Sequence, residues 1–305
     1  PYKRNDNPVG GYHGISMGVY DSSHQIINDM MLIRGRKVAF PIDFDGASNF
    51  LDGEFIYGGC LFNNFGHFLL ESLARVHHVK RLKLPFIWLG NKHIRGLRSW
   101  QSEILDVLGV DRSKIEILTV PTRVASVVDV EPGFELRNYF HRELGFSLGV
   151  FDLKVNSAKK RVWLSRSTIS APLSKIDGEI QVEEILESKG WYIFHPESHS
   201  VPQQLKVLSG AELIAGFEGS AFHLLIMLRQ PKAKVVIFVR GDASVHGDRA
   251  ETHLNSNFYI IQQLLGFRQL VFKVELDYLS GNERRASYRL GRPSQVVDIL
   301  DSIVD

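Results

Sequence analysis

Residues 191–239 read WYIFHPESHSVPQQLKVLSGAELIAGFEGSAFHLLIMLRQPKAKVVIFV. Three short apolar runs, Trp191–Phe194, Ala211–Ala215 and Lys234–Val239, alternate with two stretches of helix length, Val201–Leu208 and Ser220–Leu228. Short apolar runs bounded by turn residues predict buried strands, and the longer stretches between them predict helices. Strands joined by single helices pair in parallel through crossover connections, so this segment predicts an open, doubly wound α/β sheet.

The pattern extends in both directions. Arg161–Leu164 reads as a strand and Ile180–Ser188 as a helix; beyond the quoted segment, Ser256–Leu265 reads as a helix and Leu270–Val274 as a last strand. A final helix over Ser294–Ile303 can pack on either half, including back on the first. In the first half, Glu54–Phe62 predicts a buried strand and Asn63–Lys80 one continuous helix, with Phe65, Leu69, Ser72, Leu73 and Val76 on one face. Strands follow at Pro85–Leu89, Lys114–Leu118 and Arg123–Val130, and helices at Gly96–Leu108 and Arg137–Leu148. The first 50 residues read as short β segments with turns at Gly10-Gly11 and Asp45-Gly46. The polar, aperiodic stretch 152–160 reads as a linker. The expectation is two α/β domains, 1–151 and 152–305, facing each other across a cleft at the carboxyl ends of their sheets, where such folds bind ligands.

Composition narrows the classes. Of 305 residues, 44% are hydrophobic and 23% charged, as in a globular protein, and the formal net charge is +2. That balance argues against nucleic acid as a partner. Cys60 is the only cysteine, so no intramolecular disulfide forms and the chain suits a reducing, cytoplasmic compartment. No apolar run reaches the roughly 20 residues of a membrane helix, and no secretory leader is read. The opening Pro1, in place of Met, is expected where an upstream segment has been removed.

Four constellations can carry chemistry. In N63-N-F-G-H-F-L-L-E-S-L-A-R75, Asn64 or its neighbour caps a helix on which His67, Glu71 and Arg75 fall at i, i+4 and i+8. The competing reading is a solvated polar face. Its place, directly after a buried strand, favours a cleft: His67 beside a helix N-terminus would stay neutral and act as a base on a hydroxyl, with Glu71 orienting it or serving as the base itself. In R161-V-W-L-S-R-S167, the strand runs into Ser165 and Arg166, whose hydroxyl and guanidinium fork match a diphosphate; an ordinary surface turn is the alternative. In G216-F-E-G-S-A-F-H223, Gly219 allows close backbone approach and Ser220 is placed to cap a helix whose N-terminus attracts an anion. Glu218 would repel phosphate and is better matched to a hydroxyl of a ribose or sugar. The segment is neither G-x-G-x-x-G nor a Walker loop, so neither a nicotinamide cofactor nor a P-loop nucleotide is indicated. Finally, R240-G-D-A-S-V-H-G-D-R-A-E-T-H253 reads as a cleft loop carrying His246, with no standard zinc spacing.

Taken in order, N63-N-F-G-H-F-L-L-E-S-L-A-R75, L164-S-R-S167, more loosely residues 181–190, and A211-E-L-I-A-G-F-E-G-S-A-F-H223 resemble the bacterial, capsular-polysaccharide branch of glycosyltransferase family 61. The resemblance covers about 160 residues and departs at Phe222 and at Met227-Leu228-Arg229. It implies a GT-B-like fold of two Rossmann-like domains and an inverting transfer that needs neither metal nor cofactor. The nucleotide-sugar donor would sit on the C-terminal domain, held by Ser165, Arg166, Glu218, Gly219 and Ser220. A glycan or lipid-linked acceptor would sit on the N-terminal domain near Asn64 and Arg75, with His67 and Glu71 as catalytic residues. A lipid-linked acceptor implies peripheral contact with the inner face of the cytoplasmic membrane. The alternatives are a sugar-nucleotide epimerase or hydrolase on the same scaffold, and a non-catalytic nucleotide-sugar-binding subunit.

Overall fold

A computed structural model describes residues 49–90, 94, 96–152, 160–169, 175–240, 254–280 and 287–304, with 3–4, 15–16, 18–27, 30, 33–34 and 36–37 ahead of them. The chain divides into two compact units, Pro1–Leu148 and Gly149–Asp305.

In the first unit, β1 (Lys3–Arg4) pairs with β2 (Ile15–Ser16) and β3 (Ile33–Arg34) with β4 (Arg36–Lys37), both antiparallel. The long strand β5 (Asn49–Cys60) follows, exposed over most of its amino half and buried from Phe55 to Cys60. After it come α1 (Phe65–His67), α2 (Val76–Leu82), β6 (Phe86–Leu89), α3 (Ser99–Leu108), β7 (Ile115–Leu118) and β8 (Thr122–Val128). The sheet has the order β7-β6-β5-β8 and every pairing is parallel. Counted within the sheet, that is 3-2-1-4, with the order reversing between β5 and β8. A central parallel strand is covered on both faces, which accounts for the unbroken apolar run at the end of β5. Gly58 is required there, because a Cβ would come within 2.4 Å of the Phe86 ring and 2.6 Å of the Ile87 carbonyl oxygen. A small hairpin, β9 (Phe134–Glu135) with β10 (Tyr139–Phe140), and α4 (Arg142–Leu148) complete the unit. The helix expected over Arg137–Leu148 is therefore only its second half.

The expected helix over 63–80 is broken. The single turn α1 passes into a π-helical turn, Phe68–Ser72, in which Leu73 N–H donates to Phe68 O, five residues back. Regular bonding resumes only at α2. The cause is tertiary: Ser72 Oγ donates to Cys60 O (2.8 Å) and accepts from Phe62 N–H (2.9 Å), tying the widened turn to the end of β5. Trp88 Nε1 donates to Ser72 O from the neighbouring strand (2.8 Å).

The second unit contains β11 (Lys160–Leu164), β12 (Ile176–Asp177), α5 (Glu179–Ser188), β13 (Tyr192–Phe194), α6 (Val201–Ser209) and β14 (Ala211–Phe217). A 3-10 helix (Ser220–Met227), β15 (Lys234–Val239), α7 (Ser256–Leu265), β16 (Gln269–Lys273), β17 (Leu276–Ser280), β18 (Ser287–Leu290) and α8 (Pro293–Val304) follow. The main sheet runs β13-β11-β14-β15-β16, all parallel, an order of 2-1-3-4-5 that reverses between β11 and β14. Local signals explain the elements: Ser200 and Gln203 form a reciprocal capping box that starts α6. The core stacks Trp163 on Phe217 edge to face, with ring centroids 5.6 Å apart, and extends to Phe238. Burying each such ring contributes about 2–3 kcal/mol. Helix α8, for which the sequence left either half open, joins this second core through Val296, Val297 and Leu300 and packs beside α5. A small sheet, β12-β18-β17, had no counterpart in the sequence reading. Residues 153–159, most of the expected linker, lie outside the described residues, as do Gly10-Gly11 and Asp45-Gly46.

Candidate functional site

Each unit brings part of the candidate machinery to the carboxyl end of its sheet. In the second unit the chain leaves β11 at Leu164 into Ser165 and Arg166, and leaves the neighbouring β14 at Phe217 into Glu218 and Gly219. This is the reversal point of the sheet, where open α/β folds form a ligand crevice. The ladder runs one residue further on each side: Ser165 N–H donates to Phe194 O (2.9 Å) and Glu218 N–H to Phe238 O (2.8 Å).

The turn after β11 is organised by two carboxylates from α5. Ser165 is 2% exposed; its Oγ donates to Glu183 Oε1 (2.6 Å) and accepts from Ser167 N–H (3.0 Å). Ser167 Oγ donates to the other oxygen of Glu183 (3.2 Å). Ser165, expected among the donor contacts, is thus engaged inside the turn. Arg166 N–H donates to Glu179 Oε1 (3.1 Å), and Glu179 is fully buried. Burial pushes the Glu179 carboxyl up to about 7; the Arg166 N–H opposes this and the Glu183 carboxylate adds to it.

The Arg166 guanidinium is mostly shielded. Burial pulls its pKa down, and the carboxylates of Glu179, Glu197 and Glu218 pull it back up. Its Nε is buried and makes no hydrogen bond among the described residues. Gly219 lies so close that a Cβ there would sit 2.4 Å from Nη1. Gly216, one step inside β14, is equally confined, with a virtual Cβ 2.8 Å from Leu164 O. The helix after Gly219 is 3-10 rather than α, and its cap is Gly219 in extended conformation without a side-chain bond. The expectation that Ser220 caps this helix is corrected accordingly: Ser220 is its first residue. Three further groups reach the same edge without having been singled out in the sequence: Thr168 Oγ1 lies 3.1 Å from His195 Nδ1 and donates to Glu197 Oε1. Their signal was position, because His195 follows β13, the neighbour of β11.

In the first unit Asn64 caps α1, its Oδ1 accepting from His67 N–H (3.4 Å). The edge-to-face contact of Phe68 with Trp100 and the tilted contact of Phe65 with the same ring hold this turn. His67 Nδ1 and Glu71 Oε1 lie 2.5 Å apart, with side-chain exposures of 38% and 8%. A buried carboxylate thus faces one ring nitrogen while Nε2 is on the opposite side of the ring, the polarity a base needs. The helix-dipole argument for a neutral ring falls away, because α1 has only three residues.

Arg75 does not continue the stripe. The π turn inserts an extra residue's width, and residues 73–75 leave regular helical bonding. Arg75 instead turns inward at 8% exposure, donates through Nε to Val130 O (2.8 Å) and lies over the Tyr57 ring, 5.0 Å from its centroid. Beyond β8, His77, His78, Arg81, Asp129, Glu131 and His141 border a cavity of about 360 Å³. Burial, with the charges of His78, Arg81 and His141 behind it, pulls His77 down to about 4. His246 lies outside the described residues. Among the described residues no helix is long and apolar enough to cross a membrane.

Residues 65–236, more than half of the chain, match the family model described as Glycosyltransferase 61. No curated protein matches. Among solved structures, the iron-containing dodecameric glycosyltransferase TibC of enterotoxigenic E. coli H10407 is similar at 17% identity and a TM-score of 0.33, over 62% of this chain and 59% of that one. The TibC heptosyltransferase complex with ADP-D-beta-D-heptose is similar at 14% identity and a TM-score of 0.29, over 68% of this chain and 64% of that one. The chain thus spans less than two thirds of the length of either structure.

Proposed function

The chain belongs to the Glycosyltransferase 61 family, and we propose that it transfers a sugar from a nucleotide-sugar donor to a glycan or lipid-linked acceptor, with inversion, in the synthesis of a surface polysaccharide. The second unit holds the donor and the first the acceptor. Arg166 receives the donor diphosphate, the Gly219–Ser220 backbone borders it, and Glu218 accepts from a donor hydroxyl. His67, oriented by Glu71, takes the proton of the acceptor hydroxyl as its oxygen attacks the anomeric carbon. The bond from that carbon to the phosphate oxygen breaks, and its electron pair leaves with the nucleoside diphosphate. One displacement inverts the anomeric centre, and Arg166 stabilises the departing charge without a metal ion. Transfer takes place in the cytoplasm, at the inner face of the membrane where the acceptor is lipid-linked.

The observation that carries this reading is Arg166: a shielded guanidinium at a sheet's reversal point, its Nε without a hydrogen bond among the described residues. The test is a thermal-shift series with ADP-, GDP-, UDP-, CDP- and dTDP-hexoses, with and without EDTA. Binding of one at 100 times its dissociation constant stabilises the protein by about 2.7 kcal/mol. A shift with one nucleotide class that survives EDTA is the expected result. Absence of a shift with every member overturns the donor assignment, and a shift abolished by EDTA overturns metal independence.

A further inference from the structure

The surroundings of Arg166 pose an electrostatic problem for any anion. Three carboxylates act on one guanidinium: Glu179 from the first turn of α5, Glu197 from the turn after β13, and Glu218 from the end of β14. A nucleotide-sugar diphosphate adds two more negative charges, and like charges in a shielded site cannot all remain ionised. Each oxygen of Glu183 is already engaged, accepting from a serine hydroxyl. Glu197 is exposed to water, which screens it. Glu179 is different. It is fully buried, its Oε1 accepts the Arg166 N–H, and the charges facing it are the Arg166 guanidinium and the Glu183 carboxylate, with the Trp163 indole beside them.

Resting on the donor reading above, we propose that Glu179 is the positioning residue of the donor site: it holds the Arg166 turn and takes up a proton from solvent when a diphosphate engages the guanidinium. Before binding, the Glu179 carboxylate balances Arg166. When the diphosphate supplies that balance, the buried carboxylate is left with one charge too many and accepts a proton. The Arg166 N–H contact survives, because a neutral carboxyl keeps an acceptor oxygen. With the carboxyl already pushed up to about 7, this exchange falls in the neutral range.

The experiment is isothermal titration of the wild-type chain with the nucleotide hexose of the panel that binds tightest, in phosphate and in Tris buffer at the same pH. The diphosphate of a nucleotide sugar is a diester at both phosphates and does not titrate near neutrality, so any proton exchanged belongs to the protein. At pH 7 the expected uptake is about half a proton per site, falling to none at pH 5, and affinity weakens as pH rises above 7. Glu179→Gln keeps binding but loses both the uptake and the pH dependence, whereas His195→Gln retains them. No uptake by the wild type overturns the inference, as does uptake that persists in Glu179→Gln or disappears in His195→Gln. If Glu179→Gln does not fold, the wild-type and His195→Gln titrations still decide. If no nucleotide hexose binds, the donor reading itself fails and the inference falls with it, a result distinct from binding without proton uptake.

Discussion

The backbone of Gly219 and the guanidinium of Arg166 lie in contact, so close that a single added carbon at Gly219 would stand 2.4 Å from Nη1. The two residues lie just past the ends of neighbouring strands, and the contact joins the two turns into one edge at the reversal point of the second sheet. The φ angle of Gly219 is −173°, extended backbone open to any residue. The glycine is therefore there for space, and the space belongs to the arginine.

Gly219→Ala is expected to act through Arg166. Arg166→Ala lowers kcat/KM at least tenfold, about 1.4 kcal/mol of transition-state stabilisation. Gly219→Ala displaces the guanidinium and shows a loss of the same kind, and the double variant is scarcely worse than Arg166→Ala. Steady-state kinetics on all three chains check this; additive losses would separate the two residues.

His67→Ala is expected to abolish transfer while leaving nucleotide-sugar affinity within about twofold, since the acceptor's proton is lost only in the chemical step. Glu71→Gln, which keeps the shape but not the charge facing Nδ1, falls between wild type and His67→Ala. Parallel turnover and binding measurements check the split. If donor binding disappears with His67, its place is on the donor and not on the acceptor hydroxyl.

Ser72→Ala tests the tie that shapes the π turn. It leaves the buried Cys60 carbonyl and Phe62 amide without their side-chain partner, at a cost of about 1–3 kcal/mol. Denaturant unfolding should show this loss, with activity falling further as His67 loses its support. A neutral effect would mean that the turn is held by packing alone.

Acid stability of the first unit should depend on His77. Its folded pKa lies near 4, below the ordinary 6.5, so between those values the unfolded chain binds a proton that the folded chain refuses. The contribution is complete above pH 6.5 and is lost as pH falls through 4. Glu179 works in the opposite sense: its contribution is complete below its unfolded value of 4.5 and is lost as pH rises through 7. Melting temperatures from pH 4 to 8 should therefore fall less on the acid side in His77→Gln and less on the alkaline side in Glu179→Gln. Unchanged profiles would contradict both assignments.

The alternation of strands and helices was legible because each element carries its own period. Trp191–Phe194, the helix from Val201 and the strand from Lys234 appear close to where periodicity placed them. The break in the 63–80 helix was not legible, because its cause, the Ser72 tie to Cys60 and Phe62, joins residues ten or more positions apart. Arg75 was misplaced for the same reason, since an i, i+4, i+8 stripe presumes an unbroken helix. The 220–227 segment is apolar on nearly all sides, with Phe222, Leu224, Leu225, Ile226 and Met227 buried, so period could not separate 3-10 from α. That Arg166, Glu218 and Gly219 would share one sheet edge was legible from their places after strands. Glu179 was not: a glutamate in a first helical turn looks like ordinary dipole compensation until the arginine turn closes over it.

In the proposed function, the turns that follow β11 and β14 bind the donor. Hydrogen–deuterium exchange with and without the tightest-binding nucleotide hexose tests it most directly. Added protection is expected at residues 164–168 and 217–221, lost in Arg166→Ala. Protection confined to other segments, or unchanged by Arg166→Ala, would contradict it.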